Sequence, residues 1–464
     1  MKRERRANSW FLFLYLFGFR LLTADTLLLT LEKSIALALQ NNRLISQTKA
    51  KIEEMVYQKG IAFSSFLPQI NLSGTFYRTD RINKFNLVAP RYENLPLPVV
   101  DPLTGETIGF TPPIPLIVGV DTLALELGAR NNYLLRGTVQ QTLFTWGKVW
   151  YAYRIAGLSL NLEKEGLKVV EGQVKVAVVE GFYQAFLAQK MVDLLLKSQE
   201  QLERHLSRVK MLYERGLANR LDLLKTEVKL AEVAVQVARM RNNAQMALAS
   251  LCSTLGLDIN TPVVLAAELE REDWSLSAEE AIQTALVKRP ELSQLREAIK
   301  IVQLTKRIAL TANLPTFFGQ LNYDYKNPVG FEKRWGSDWN LTLGFTLPLF
   351  TGFSNLNKIK QAQAKERQAQ LALKLAEEGI KLEVLSFVNA LNQERENIIA
   401  QEKNLQVARE ALSLAEKGYE SGFVTNLDYL DSSLSLSQSE IAYWQSLANY
   451  QIVKAKLKRA IGEF

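Results

Sequence analysis

The sequence contains two copies of one pattern, and this duplication limits the folds that the chain can adopt. The motif Leu-Thr-x-Glu-x-x-Ile-x-x-Ala-Leu at residues 29–39 returns as Leu-Ser-x-Glu-x-x-Ile-x-x-Ala-Leu at residues 276–286, which is 247 positions later. Further matches, now 206 positions apart, are Leu143-Phe144-Thr145 with Leu349-Phe350-Thr351, Tyr213-Glu214-x-Gly216 with Tyr419-Glu420-x-Gly422, and Leu221-Asp222-x-Leu224 with Leu427-Asp428-x-Leu430. Matches in constant order indicate two structural repeats, which we place at 25–262 and 263–464.

The change in spacing from 247 to 206 leaves 41 additional residues in the first repeat. Seven of the 13 prolines fall in the same region, between Pro90 and Pro115. We therefore predict a long, irregular, proline-rich hairpin loop at 86–128. Each repeat then reads as helix, strand, loop, strand, long helix, tight turn and long helix, with the tight turns at 213–221 and 419–427.

Long stretches without proline predict unusually long helices. No proline occurs between Pro115 and Pro262 or after Pro348, and an interior proline costs a helix about 3 kcal/mol. Apolar residues repeat every seven positions in four series, namely Leu195-Leu202-Val209, Leu221-Val228-Val235, Leu405-Leu412-Tyr419 and Leu427-Leu434-Ile441-Ala448-Ala455. Such repeats predict coiled-coil packing of helices about 100 Å long. The alternative is a set of shorter helices with breaks that the pattern does not reveal.

Two strand pairs are predicted, one in each repeat. Apolar and polar residues alternate at 317–325 and 338–347, and less regularly at 69–77 and 133–144. Segments of about ten residues with one aromatic-rich apolar face and one polar face are typical of outer-membrane barrel strands, although any half-buried antiparallel pair alternates too.

Four strands are too few for a closed barrel, because small barrels need about eight. An open sheet edge in lipid would leave backbone groups without hydrogen bonds. If these strands cross a membrane, several chains must therefore contribute strands to one barrel.

The amino-terminal segment accounts for much of the positive charge. The chain has 56 Lys and Arg against 48 Asp and Glu, a net charge of +8. Residues 1–24 combine a basic start with a short apolar run, which predicts a secretory signal peptide, with a retained membrane anchor as the alternative. Because half of the excess charge lies in this segment, the charge gives no support to nucleic-acid binding.

The chain has one histidine, His205, and one cysteine, Cys252. This composition excludes a disulfide framework and zinc sites built from Cys and His, and no catalytic or metal-binding motif is present. We predict that His205 lies on the surface of a charged helix and that Cys252 is a small buried residue.

These features resemble the TolC-like outer membrane efflux protein family over about residues 25–462. The resemblance rests on the opening motif at 29–39, the step Phe66-Leu67-Pro68-Gln69, the segments Leu143–Gly147 and Leu349–Gly352, and the paired turns. It implies a mainly α-helical homotrimer with a small β part, in which three chains form a 12-stranded outer-membrane barrel and a helical periplasmic tunnel. It further implies a passive exit duct without cofactors, which a periplasmic adaptor links to an inner-membrane transporter of the RND or ABC type.

The two tight turns resemble the family's helix tips, in which a glycine is followed six residues later by an aspartate. We predict that the adaptor docks there, on Gly216, Leu217, Asp222, Gly422, Phe423 and Asp428. Both glycines allow a chain reversal with positive φ. For the two aspartates the alternative is helix capping alone, because each lies in the first turn of the returning helix.

The family often closes the periplasmic end of its tunnel with acidic and other polar residues. Glu410 and Glu416, in the last turns before the second tip, are the candidates for this constriction in the present chain, and a solvated helix face is the alternative. Two other classes of function remain open from the sequence: a periplasmic structural or adaptor-type coiled-coil protein without a channel, and an exported enzyme on a helical scaffold.

Overall fold

The computed structural model describes residues 27–267, 269, 274, 276–330 and 332–464, so the predicted signal peptide lies outside the described residues. The helices are α1 (Leu31–Asn41), α2 (Arg43–Ser64), α3 (Lys148–Glu214), α4 (Arg220–Leu255), α5 (Ala278–Lys288), α6 (Pro290–Leu310), α7 (Ser354–Glu420) and α8 (Asn426–Ala460). The strands are β1 (Leu27–Leu29), β2 (Gln69–Arg78), β3 (Asn83–Leu95), β4 (Pro98–Val100), β5 (Thr107–Phe110), β6 (Ile114–Leu127), β7 (Asn131–Phe144), β8 (Val263–Leu265), β9 (Thr316–Asn327) and β10 (Gly336–Thr346). The protein is mainly helical with a smaller β part, as predicted.

The elements follow the spacings of the duplication. Helices α3 and α7 both contain 67 residues and begin 206 positions apart, while α1 and α5 begin 247 positions apart. The repeated Thr or Ser of the opening motif caps the following helix: Thr30 accepts a hydrogen bond from the backbone N–H of Lys33, and Ser277 accepts one from Glu280. Among the described residues, every helix is too short or too polar to span a lipid bilayer.

Contacts divide the chain into two compact units, and each unit combines segments of both repeats. The first unit consists of residues up to Tyr57 together with Ala156–Gln303 and Ala364–Phe464. It is helical apart from β1 and β8, which pair in parallel. The second unit, Gln58–Ile155 with Leu304–Gln363, contains the other strands.

The heptad series have different environments in the first unit. Leu195, Leu202 and Val209 are buried as predicted, and the first two join a core cluster with Val233, Val237, Leu412, Tyr429 and Leu430. The Leu221, Val228 and Val235 series is instead exposed in the single chain, so its predicted coiled-coil packing stays a prediction. Helix α4 buries another face, formed by Thr226, Val233, Val237 and Ala244. Its sequence therefore carries two apolar stripes, and among the described residues only one of them is buried.

The second unit contains a four-stranded antiparallel sheet in the order β10-β9-β7-β2. The central pair, β7 with β9, joins the two repeats, while β2 and β10 are the free edges. Each strand meets a helix at the same end of the sheet, because β2 and β9 begin after helices and β7 and β10 end before them. The hairpin turns therefore lie at the opposite end.

The two faces of this sheet differ in polarity. One face is apolar and exposed over all four strands, with Ile70, Leu72, Phe76, Tyr133, Leu135, Leu143, Phe317, Leu321, Tyr323, Tyr325, Trp339, Leu341, Leu343 and Phe345. The other face carries polar side chains joined across strands. Arg136 makes two hydrogen bonds to the Asp324 carboxylate, at 2.6 and 2.7 Å, and Asn322 bonds to Thr138 and Asn340. This arrangement reverses that of a water-soluble sheet, in which the apolar face is covered.

The proline-rich segment 86–128 is not the irregular loop that was predicted. Most of it forms a two-stranded ribbon in which β3 pairs with β6, and a smaller hairpin of β4 and β5 follows at its tip. Pro90 lies within β3, opposite Val120. Each strand of a two-stranded ribbon has one edge without a partner, so a proline can be accommodated without loss of a ladder hydrogen bond.

Candidate functional site at the helix turns

The two tight turns have the same backbone structure. In the first, Gly216 has a φ of 71°, its N–H donates to the Tyr213 carbonyl at 2.9 Å, and the N–H of Leu217 donates to the Leu212 carbonyl at 2.8 Å. In the second, Gly422 has a φ of 81°, and Gly422 and Phe423 donate to the carbonyls of Tyr419 and Gly418. Both are Schellman motifs, which require a left-handed residue after the helix and therefore favour glycine.

The two returning helices are capped differently. Asn219 caps α4 by accepting a hydrogen bond from the backbone N–H of Asp222 at 2.7 Å. Thr425 caps α8 in a reciprocal capping box, in which the Asp428 carboxylate accepts from both the hydroxyl and the backbone N–H of Thr425. Both hydrogen bonds lower the pKa of the Asp428 carboxyl, and the one from the hydroxyl has the larger effect. The capping alternative therefore accounts for Asp428, whereas Asn219 performs that role in the first turn.

The apolar residue after each glycine is exposed. In a Schellman motif this side chain often packs back against its own helix. Here Leu217 is 74% exposed and Phe423 is 90% exposed. Both turns therefore present an uncovered apolar side chain beside the reversal of the chain, at equivalent positions of the two repeats.

The prediction that His205 lies on the surface is wrong. Its side chain is only 4% exposed, because α3 packs at this point against helices of the second repeat. The imidazole stacks on the Tyr429 ring with a centroid distance of 3.7 Å, and the Tyr419 ring lies 4.9 Å away. The sequence did contain a signal, since His205 follows buried Leu202 by three residues and precedes buried Val209 by four, which is the spacing of one helix face. Cys252 is buried, as predicted.

A buried amide connects the two hairpins at this histidine. Asn426, in the first turn of α8, lies with its Oδ1 2.7 Å from Nε2 of His205, while its Nδ2 donates to the Asp222 carbonyl and to Thr226 Oγ1, both at 3.1 Å. A carbonyl can only accept, so the amide orientation is fixed. Nε2 of His205 must then carry the proton and donate to Asn426.

Burial sets the protonation of this cluster. Burial lowers the pKa of His205, and the nearby Arg208 charge lowers it further, while the hydrogen bond to Asn426 acts in the opposite direction. Burial raises the pKa of Tyr419 and of Tyr429. Arg208 itself pairs with Glu420 at 2.5 Å. The cluster is thus held by neutral rings and amides, with its charges at the edge.

The two constriction candidates lie in different surroundings. Both Glu410 and Glu416 are exposed on α7. Glu416 lines a cavity of about 140 Å³ together with His205, Arg204 and Arg208, and its charge contributes to the raised pKa of Tyr429. Glu410 is not among the residues that line this cavity, so the structure does not bring the two glutamates together at one site.

Comparison with known proteins identifies the chain at the level of its family. The model of the outer membrane efflux protein family matches residues 34–257 and 281–463. Among curated proteins, the chain is 22% identical over 337 residues to the alkaline protease secretion protein AprF of Pseudomonas aeruginosa, covering 71% of this chain and 69% of that protein. It is 21% identical over 368 residues to the outer membrane protein TolC of Vibrio cholerae, covering 78% and 84%.

Solved structures share the fold. The CmeC outer membrane channel of Campylobacter jejuni superposes with a TM-score of 0.75 at 18% identity, over 93% of this chain and 85% of that chain. CusC gives a TM-score of 0.74 at 15% identity, over 93% and 92%. With the family model matching most of its length, the chain belongs to the outer membrane efflux protein family.

Proposed function

We propose that this outer-membrane protein is the passive exit duct of a tripartite efflux or type I secretion system. One observation carries the proposal: a sheet with an exposed apolar face and a polar opposite face occurs in the same chain as two hairpins of very long helices. The apolar face suits lipid, and the polar face suits a water-filled lumen. A periplasmic coiled-coil protein without a channel would have no use for such a sheet.

Closure of the barrel requires other copies of the chain. The free edges are β2 and β10, and the strands alternate in direction from one edge to the other. Pairing of β2 with β10 of a neighbouring copy is therefore antiparallel, and three copies give twelve strands without a free edge. In such a homotrimer every backbone N–H and C=O of the barrel has a hydrogen-bond partner within the lipid. An isolated chain lacks these partners along its two edge strands.

The helix turns are the proposed docking site for a periplasmic adaptor, which would connect the duct to an RND- or ABC-type transporter in the inner membrane. Leu217 and Phe423 support this assignment most directly, because they are apolar, exposed and equivalently placed. Gly216 and Gly422 shape the turns, and Asp428 stabilises the second turn through capping. At the first turn, the Asp222 carboxylate is proposed to contact the adaptor. Glu410 and Glu416 remain proposed constriction residues. The duct itself performs no catalysis and needs no cofactor.

The proposal is tested with the purified full-length mature protein in detergent and in planar lipid bilayers. Native mass spectrometry should give a mass of three chains, and the reconstituted protein should conduct ions in unitary steps. A protein that stays monomeric and soluble without detergent, or that gives no conductance, would contradict the proposal.

A further inference from the structure

The helix ends next to the four-stranded sheet carry only positive charges. Within the second unit, α2, α3, α6 and α7 contribute residues 58–64, 148–155, 304–310 and 354–363, and these segments contain seven Lys and Arg but no Asp or Glu. Six of these cations form no ion pair with a described carboxylate, and we call them the basic collar: Lys59, Lys148, Arg154, Arg307, Lys358 and Lys360. Each lies within six residues, about 9 Å, of the helix end that adjoins the sheet.

The electrostatics of the helices does not explain this charge. Cations are favoured in the last turn of a helix and disfavoured in the first, because the backbone dipole is positive at the first turn. Lys59 and Arg307 lie near the ends of α2 and α6, where cations are favoured. Lys148 is the first residue of α3 and Lys358 the fifth of α7, and neither helix has an acidic residue in its first turn. The feature that all four helix ends share is their position next to the sheet.

Three cations of the basic collar lie over aromatic rings. The distances to the ring centroids are 5.5 Å from Arg154 to Trp150, 6.0 Å from Arg307 to Tyr151 and 5.4 Å from Lys59 to Tyr153. The Tyr153 ring also lies 6.0 Å from both Phe63 and Phe66, and Trp150, Phe63 and Phe66 are exposed. A cation over a ring is held in place while its charge keeps no counterion. The collar therefore presents oriented positive charges beside exposed rings.

A series of rings connects the apolar face of the sheet with its helical end. Phe317 lies 5.9 Å from Phe345 and 6.4 Å from Phe144, and Phe144 lies 5.0 Å from Trp146. Trp146 is held where β7 leaves the sheet, because its indole N–H donates to the Pro315 carbonyl at 2.8 Å. Aromatic residues of this kind are typical of the boundary between lipid and water. The apolar face thus ends in an aromatic layer at the same end of the sheet as the collar.

The basic collar lies on the periplasmic side of the membrane. The helical part is periplasmic in this family, and each strand meets a helix at the same end of the sheet. That end therefore faces the inner leaflet of the outer membrane. Cations placed just beyond an apolar band and its aromatic layer match the phosphate groups of phospholipids whose acyl chains cover the band.

We infer that the basic collar binds the head groups of anionic phospholipids in the periplasmic leaflet. A dissolved anion would use the cations but would gain nothing from the rings or the apolar face, so their continuity favours a lipid. An anionic cargo would be attracted along the whole helical passage, whereas acidic residues return further along the helices, at Glu163 of α3 and Glu366 of α7. Such lipid binding rests on the lipid-facing sheet of the proposed function, but on neither the trimer nor the docking turns.

The test uses the full mature protein in bilayers of dioleoyl phosphatidylcholine, with electron paramagnetic resonance of spin-labelled lipids. The unaltered protein should hold phosphatidylglycerol about fivefold more strongly than phosphatidylcholine, which is the contribution of one cation near an anionic lipid. In the quadruple variant Arg154→Gln/Arg307→Gln/Lys358→Gln/Lys360→Gln this ratio should fall below about two. High salt should lower the ratio as well, because the exposed charges are accessible to counterions.

Two further variants separate the position of the charges from their number. The matched control Lys197→Gln/Lys210→Gln/Arg239→Gln/Arg241→Gln removes four exposed cations from α3 and α4 and should keep the ratio of the unaltered protein. The exchange Arg154→Lys/Arg307→Lys/Lys358→Arg/Lys360→Arg should keep it too, because the charge is retained. An unchanged ratio in the quadruple variant, or an equal fall in the control, would overturn the inference.

A smaller variant covers the case in which the quadruple variant does not fold. Lys358→Gln/Lys360→Gln changes two exposed side chains on α7 and should still lower the ratio; an unchanged ratio there would overturn the inference. Inorganic phosphate, added at constant ionic strength, should leave the ratio of the unaltered protein unchanged. If phosphate abolishes the preference, the collar is a site for a free anion and the lipid assignment is overturned.

The reversal potential of the channel tests whether the collar faces the lipid or the passage. In planar bilayers with a KCl gradient, the quadruple variant should have the reversal potential of the unaltered protein, because cations at the lipid do not line the passage. A shift towards cation selectivity with an unchanged lipid ratio would place the collar inside the tunnel and overturn the inference. A collar-dependent lipid ratio in a protein that never conducts would count against the duct and not against the lipid site.

Discussion

Replacement of Asn426 by alanine tests whether the buried amide holds the two helical hairpins together. Thr226 and the Asp222 carbonyl keep a partner in this variant, because Thr226 Oγ1 donates to that carbonyl at 2.8 Å. His205 does not, since its Nε2–H loses the only acceptor that the described residues provide. An orphaned buried donor costs about 1–3 kcal/mol, so we expect the hairpins to separate about 2 kcal/mol more easily.

Hydrogen exchange measures this local opening directly. Backbone amides in the first turns of α4 and α8 should exchange about 30-fold faster in Asn426→Ala, which corresponds to about 2 kcal/mol. Amides of the β-sheet should be unaffected. The control is Asn404→Ala on α7, because Asn404 is exposed and its amide makes only a 3.4 Å contact with Gln401.

The cause of the effect can be separated from a general loss of packing. In the double variant His205→Phe/Asn426→Ala no buried donor is left without an acceptor, so much of the protection should return. Unchanged exchange in Asn426→Ala would refute the reasoning, and so would a double variant that opens as easily as the sum of the two single variants.

Three other perturbations follow from the structure. Leu217→Asp with Phe423→Asp should reduce crosslinking to the periplasmic adaptor and export at least tenfold, roughly the loss of two small apolar contacts, while the oligomer stays assembled. The pKa of His205 is lowered in the folded state, so its contribution to stability is complete above the usual value of about 6.5 and declines as the pH falls below it. Hydrogen exchange at the helix turns, corrected for the intrinsic rate, should therefore rise in acid. The rise should be smaller in His205→Gln. Asp324→Asn weakens the pair with Arg136 and should lower the temperature at which the folded barrel form is lost in gel assays, whereas Arg136→Asp with Asp324→Arg should restore part of it.

Each of these experiments has an outcome that contradicts its premise. Normal export by the doubly substituted tips would show that the adaptor docks elsewhere. Equal acid sensitivity in His205→Gln would show that His205 is not the cause of the pH effect. If Arg136→Asp with Asp324→Arg is no more stable than Asp324→Asn, the orientation of the original pair, and not the attraction between its charges, stabilises the sheet.

Features with a local cause could be predicted from the sequence. Gly216 and Gly422 mark the turns because a Schellman motif needs a left-handed residue, and alternation marks the four strands because side chains of a strand point to opposite faces. The family follows from the combination of these features in two copies.

Features that depend on a distant partner could not be predicted in the same way. The burial of His205 requires α8, which supplies Asn426 and Tyr429 from more than 200 positions away. Pro90 suggested an irregular loop, because proline is excluded from the central strands of a sheet. A two-stranded ribbon has no central strand, so it can contain this proline. The Leu221 series has the spacing of a packed helix face, but none of the segments that the structure describes covers it.

The strand order gives the duplication a consequence for assembly. Inside one chain, β7 of the first repeat pairs with β9 of the second, and the two free edges, β2 and β10, again belong to the first and the second repeat. A junction between chains would therefore pair a strand of the first repeat with a strand of the second, as the junction within a chain does. In the proposed trimer, fusion of the repeats would make every second junction of the ring intramolecular. Such a junction forms at a high effective concentration, so three encounters between chains would replace six. Because the ribbon of β3 and β6 belongs to the first repeat alone, the outer rim of that trimer would have threefold and not sixfold symmetry.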